Sequence, residues 1–91
     1  TMGKRDVPYD VGFPVPQRRY RNGDWAVLTG CEVTATNDQH AYLSVPGGVD
    51  LRVGDMIAAG ISHPCTAFDK WRFIPVVDDE YNVVDGALTF F

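Results

Sequence analysis

Short apolar runs separated by polar turns make up most of this chain. From Trp25 onward the runs are rich in β-branched and aromatic residues, which favour strands. Turn-forming residues separate them, at Gly30, at residues 37–38 and at residues 46–48. We predict strands at residues 25–28, 32–36, 40–45, 56–58 and 71–77, with one or two more in residues 81–91.

The spacing of these strands predicts an all-β fold, a small barrel or sandwich of short, mostly antiparallel strands. No window longer than about ten residues has the periodicity of a helix. Residues 1–23 contain three prolines and three glycines. Because proline fixes φ and disfavours helix before it, we predict an extended arm or linker there, followed by a β domain over residues 24–91. Pro75 indicates a sheet edge or a bulge in the strand at residues 71–77.

Composition narrows the class of protein. Ninety-one residues make one small domain, and the hydrophobic fraction of 45% is enough for a core, which argues against disorder. The net charge of -4 argues against a nucleic-acid partner, and the cluster of Arg18, Arg19 and Arg21 is typical of a solvated face. No apolar run approaches the roughly 20 residues of a membrane span, and no signal peptide is visible.

Two cysteines are too few for a disulfide scaffold, so we expect a reducing, cytoplasmic setting. Cys31 follows a turn glycine at a strand start and is predicted to be buried as a small hydrophobe. Cys65 stands two residues after His63. If the backbone there is extended, the imidazole and the thiolate point to the same side and suit zinc or a similar ion. Spacing alone is weak evidence, and a packed histidine beside a core cysteine is the commoner outcome.

His40 lies in a polar turn that enters a strand. By itself it is best explained as a strand-edge histidine. As one of only two histidines, it is also a candidate partner for the site at His63 and Cys65.

Five short motifs occur in a characteristic order along the chain. They are Gly3-Lys4-Arg5-Asp6, Asp38-Gln39-His40, Val53-Gly54-Asp55, His63-Pro64-Cys65 and Val76-Val77-Asp78. This order resembles the C-terminal β domain of the D-serine dehydratase, D-threonine aldolase and amino-acid deaminase family. These are pyridoxal-phosphate enzymes whose larger domain is an alanine-racemase-like barrel. The likeness runs from about Gly3 to Phe91.

The resemblance implies a divalent metal, most simply zinc, bound by His63 and Cys65 beside the cofactor. Gln39 stands where the family has an acidic residue, so the role of His40 is open between substrate contact, acid–base chemistry and orientation. The aldolase branch prefers a carboxylate at the position of Cys65. The resemblance therefore implies a dehydratase or deaminase of 3-hydroxy D-amino acids whose metal activates the β-hydroxyl, with an aldolase or racemase domain as alternatives. Asp69 is assigned at most a supporting role.

The resemblance also implies partners that this chain lacks. Pyridoxal phosphate and its lysine belong to an N-terminal barrel of the same polypeptide, joined through the arm at residues 1–23, and the full enzyme is expected to be a homodimer. The isolated 91 residues are predicted to be inactive and to expose an apolar patch. The competing hypothesis is a stand-alone, non-catalytic β module that binds a partner, with His63 and Cys65 as packed residues.

Overall fold

The fold is all-β, as predicted, and consists of three small antiparallel sheets. A computed structural model describes residues 1–90. The elements are β1 (Val15–Arg21), β2 (Asp24–Val27), β3 (Glu32–Thr36), β4 (Ala41–Ser44), β5 (Met56–Gly60), α1 (Cys65–Phe68), β6 (Phe73–Val77) and β7 (Val83–Leu88). The sheets have the strand orders β2-β1-β5, β3-β4 and β6-β7, and residues 1–90 form no closed barrel. No helix in this described part is long and apolar enough to cross a membrane.

The central strand of the largest sheet lies inside the expected arm. Residues 15–21 form β1, so the structure differs from the sequence expectation there, and the segment without strand covers only residues 1–14. Asn22 and Gly23 have φ values of 49° and 83°, and this pair of positive φ angles makes the tight turn that suits a two-residue hairpin. The turn allows β2 to pair back on β1, with Arg21 opposite Asp24.

The pairing of β1 with β5 places the start of the chain beside His63. The ladder runs from Tyr20 opposite Met56 to Val15 opposite Gly60, with a bulge between Pro16 and Arg18. Past the end of the ladder the two segments stay side by side. A Cβ atom added at Gly12 would lie 3.2 Å from the hydroxyl of Ser62.

The core is small. Its buried hydrophobic side chains are Leu28, Cys31 and Val33, together with the fully buried Pro14. The prediction that Cys31 is buried is therefore confirmed. β3 packs on β1, and the largest apolar side chains of β6 and β7 remain exposed. Pro75 lies in a two-stranded sheet in which every strand is an edge, as its position predicted.

Candidate metal site

The segment His63-Pro64-Cys65 is not a strand. Pro64 has φ of -62° and ψ of -26°, which is helical geometry, and Cys65 is the first residue of α1. The backbone N–H and the hydroxyl of Thr66 both donate to the carbonyl oxygen of His63, at 3.3 and 3.1 Å. The extended backbone expected here is therefore wrong, because proline pre-sets a helical φ and Thr66 closes a turn. The argument that a strand points both side chains to the same side therefore no longer applies. Binding of one ion by both His63 and Cys65 stays a prediction.

The imidazole of His63 is held by Asp10. Its Nδ1 lies 2.9 Å from Oδ2 of Asp10, and the side chains are 35% and 56% exposed. An ionised carboxylate only accepts hydrogen bonds, so Nδ1 carries the proton and donates it. This hydrogen bond is the main reason why the pKa of Asp10 lies below its ordinary value.

The donor atoms of His63 and Cys65 suit a zinc ion. Within residues 1–90 no hydrogen bond reaches Nε2 of His63, and Cys65 is an exposed free thiol. Imidazole nitrogen and thiolate sulfur are both common zinc ligands. Across the same residues, no three His, Cys, Asp or Glu side chains converge. The described residues thus offer two candidate ligands at this place, His63 and Cys65.

His40 lies apart from this pair. It is exposed and lines a cleft of about 600 Å³ together with Asp55 and Ile57, and neither His63 nor Cys65 belongs to the lining. Its carbonyl oxygen accepts a hydrogen bond from the backbone N–H of Asn37 at 2.8 Å. The role of His40 in a reaction stays a prediction.

The first two motifs of the sequence are in contact with each other. The backbone N–H groups of Lys4 and Arg5 donate to the carbonyl oxygens of Asn37 and Asp38, at 2.9 and 3.0 Å. Asp6 closes the N-terminal turn by accepting from the N–H of Gly3 at 2.9 Å and from Arg5 at 2.8 Å. These bonds, the one from Arg5 first, hold the pKa of Asp6 below its ordinary value. This contact gives the first motif a structural explanation, whereas the second motif contributes to it only through a backbone carbonyl oxygen.

The motif at residues 53–55 also has a structural explanation. Asp55 accepts two hydrogen bonds from Arg21, both at 2.6 Å, and a third from the N–H of Arg52 at 2.8 Å. The bonds from Arg21 are the largest cause that lowers the pKa of Asp55 to about 2. The guanidinium of Arg18 lies 5.2 Å from the ring centre of Trp25. Arg21 and Arg18 of the basic cluster are therefore in contact with other side chains, whereas Nε of Arg19 has no hydrogen-bond partner among the described residues.

The last motif ends β6 and begins the turn to β7: Val76 and Val77 lie in the strand and Asp78 in the turn. Oδ1 of Asp78 accepts hydrogen bonds from the N–H groups of Glu80 and Asn82, both at 2.9 Å. The bond from Asn82 is the largest cause of the lowered pKa of Asp78. The side chain of Asp78 therefore stabilises the turn between β6 and β7.

Asp10 is the residue that sequence reasoning missed. It is 53 residues from His63, and only the register of β1 on β5 brings the two together. The Asn22-Gly23 pair marks the hairpin of β1 and β2, but it does not indicate the register of β1 on β5. The bulge after Pro16 has no comparable mark in the sequence.

Comparison with known families agrees with the motif order. The family model described as "Putative serine dehydratase domain" matches residues 1–77 of the 91, a span that includes Asp10, His40, His63 and Cys65. No curated protein matches the chain. The match confirms the resemblance to the D-serine dehydratase family and gives the chain the context of a lyase family. The chain belongs to the serine dehydratase domain family.

Proposed function

We propose that this chain is the metal-bearing domain of a pyridoxal-phosphate-dependent dehydratase that acts on 3-hydroxy D-amino acids such as D-serine. The observation that carries the proposal is the family match over residues 1–77. In that span His63 offers a ring nitrogen to which no residue of 1–90 is hydrogen-bonded, and Cys65 offers an exposed thiol. Zinc would be held by these two residues. The free cysteines fit a reducing cytoplasm, where we place the protein.

The chemistry that each absent group supplies can be stated briefly. Zinc, when bound, is a Lewis acid that stabilises negative charge on the β-hydroxyl oxygen, and pyridoxal phosphate is an electron sink for the substrate carbanion. The residues of this chain would orient and present the ligand atoms. Asp10 keeps a proton on Nδ1 of His63, so the lone pair of Nε2 stays available. Cys65, at the first position of α1, presents its sulfur at an exposed surface.

We propose that the cofactor is held by a barrel domain of the same polypeptide and that the full enzyme is a homodimer. The candidate ligands lie at a turn and a short helix at the surface, where a second domain could complete the coordination.

The proposal is tested on the full-length protein that carries this chain, with zinc content measured by atomic emission and pyruvate release measured from D-serine. We expect His63→Ala and Cys65→Ala to lose bound zinc. We also expect kcat to fall by about 100-fold or more, because metal activation is worth several kcal/mol. Cys31→Ala is the matched control and should keep both zinc and activity, since Cys31 is buried in the core.

The alternatives give different results. Zinc retained at wild-type level in both variants would contradict the proposal. Glycine and acetaldehyde formed from D-threonine, with no pyruvate from D-serine, would identify an aldolase instead. No turnover of either substrate and no bound metal in the wild-type protein would favour a non-catalytic β module.

A further inference from the structure

We infer that Asp10 is the positioning residue of the metal site, and that it fixes His63 in the tautomer that leaves Nε2 as the ligand atom. This inference rests on the proposed function, because it takes His63 as a zinc ligand. It adds a residue from the N-terminal segment to a site whose candidate ligands lie in residues 63–65. Sequence spacing gives no indication of such a role.

The contact itself has the geometry of an orienting hydrogen bond. Oδ2 of Asp10 lies 2.9 Å from Nδ1 of His63. A free neutral imidazole exchanges its proton between the two ring nitrogens, and the form protonated at Nε2 cannot bind a metal through that atom. A carboxylate that accepts from Nδ1–H favours the other form and increases the basicity of Nε2.

The fold builds this contact from two sides. On one side, the antiparallel ladder of β1 and β5 ends at Val15 opposite Gly60. The chain before Val15 and the chain after Gly60 then bring Asp10 across from His63. On the other side, Thr66 donates two hydrogen bonds to the carbonyl oxygen of His63 and fixes its backbone. The ring is thus set by Asp10 and the main chain by Thr66, which leaves one nitrogen free.

The exposure of the pair makes the inference testable without loss of the fold. The side chain of Asp10 is 56% exposed and takes no part in the buried core. Its removal should therefore change the imidazole more than the stability of the protein. Asp24 is a matched control, because it is an exposed aspartate of β2 whose side chain has no hydrogen bond to residues 1–90.

The experiment uses the full-length protein and two readouts that do not depend on activity. The first is zinc affinity, measured by competition with a chromophoric chelator. We expect Asp10→Ala to weaken zinc binding by about 10- to 100-fold, as loss of such a partner does elsewhere. Asp10→Asn should keep most of the affinity, because the amide oxygen still accepts from Nδ1–H. Asp24→Ala should match the wild type.

The second readout is the tautomer of His63 in the metal-free protein, followed by nuclear magnetic resonance with isotope-labelled histidine. We expect the Nδ1–H form in the wild type and a shift towards the Nε2–H form in Asp10→Ala. A wild-type protein with mainly the Nε2–H form would overturn the inference.

The experiment distinguishes failure of the inference about Asp10 from failure of the proposed function. If His63→Ala loses zinc while Asp10→Ala stays within about twofold of the control, the metal site stands and the role of Asp10 is wrong. If His63→Ala binds zinc as the wild type does, both are wrong.

Discussion

Asp55 and Asp10 each pair with a basic side chain, but in different surroundings. Asp55 has a side chain only 4% exposed and accepts two hydrogen bonds from Arg21, whereas Asp10 is 56% exposed and accepts one from His63. The first pair links the turn before β5 to β1 and serves the fold. The second leaves both partners accessible, which is what a binding role requires.

The Arg21–Asp55 pair makes stability depend on pH at the acidic end. The pKa of Asp55 is about 2 in the folded chain and close to 3.8 when unfolded, so its contribution is complete above about pH 4. As the pH falls from about 4 towards 2, the carboxylate is protonated and the contribution is lost. Asp55→Asn should therefore have a lower unfolding temperature than the wild type at neutral pH, and the difference should shrink over this interval.

Thermal unfolding followed by circular dichroism at low protein concentration measures this change. Asp24→Asn is the control and should follow the wild type at every pH, because no side-chain partner is lost in the described chain. A difference between Asp55→Asn and wild type that stays constant from neutral pH to about pH 2 would contradict the assignment.

At the scale of elements, the sequence predicted strands where composition and turns agree. β3 was predicted at its observed bounds, Glu32–Thr36, because β-branched residues lie between two turns. β1 was missed because its proline was interpreted as a sign of a linker, although Pro16 sits beside a bulge that tolerates it. α1 was missed because four residues are too few for a helical period.

The candidate site was also predicted only in part from the sequence. His63 and Cys65 could be named from the sequence because their residue types carry the chemistry of a zinc ligand. Their geometry could not, since Pro64 is helical and ends the extended backbone. Asp10 could not be named at all, because contacts between distant residues depend on strand register.

The N-terminal turn depends on a close approach at Gly3. A Cβ atom there would lie 2.6 Å from the carbonyl carbon of Asp38 and would also meet the carbonyl oxygen of Asn37. Gly3→Ala should therefore separate the turn from residues 37–38 and lose two backbone hydrogen bonds, at a cost of about 2 kcal/mol. Gly47→Ala is the matched control, because nothing lies within 4 Å of its added Cβ.

Hydrogen exchange measured by mass spectrometry on the peptide that contains Lys4 and Arg5 tests this prediction. Their amides should exchange faster in Gly3→Ala and at the wild-type rate in Gly47→Ala. Equal protection in all three proteins would show that the turn does not need this contact.

The whole molecule has more apolar surface than its small core can cover. Its smallest dimension is 18 Å, which leaves room for few buried layers. The β6–β7 hairpin is attached mainly through single residues. The indole of Trp71 donates to the carbonyl oxygen of Asp6 at 2.6 Å, and the ring of Tyr81 lies 4.3 Å from that of Trp25. Val84 and Leu88 of β7 are 62% and 67% exposed.

This exposure predicts that the isolated chain associates with itself. Leu88 lies opposite Phe73, which is 51% exposed, and Val84 is the residue that the register shift in this ladder leaves without a cross-strand partner. All three are apolar side chains exposed on the same hairpin. Exposed apolar surface of this kind promotes association in water. We expect the 91-residue chain to sediment as a species larger than its 10.1 kDa monomer and to bind a hydrophobic dye.

The double variant Val84→Lys and Leu88→Lys should sediment as a monomer and bind less dye, because two of the exposed apolar side chains of the hairpin would then be replaced by charges. Val53→Lys is the control. Val53 is fully exposed but lies outside the hairpin, so this variant should associate as the wild type does. If Val53→Lys also became monomeric, net charge and not the hairpin would govern association. A monomeric wild-type chain would show that these exposed side chains alone do not drive self-association.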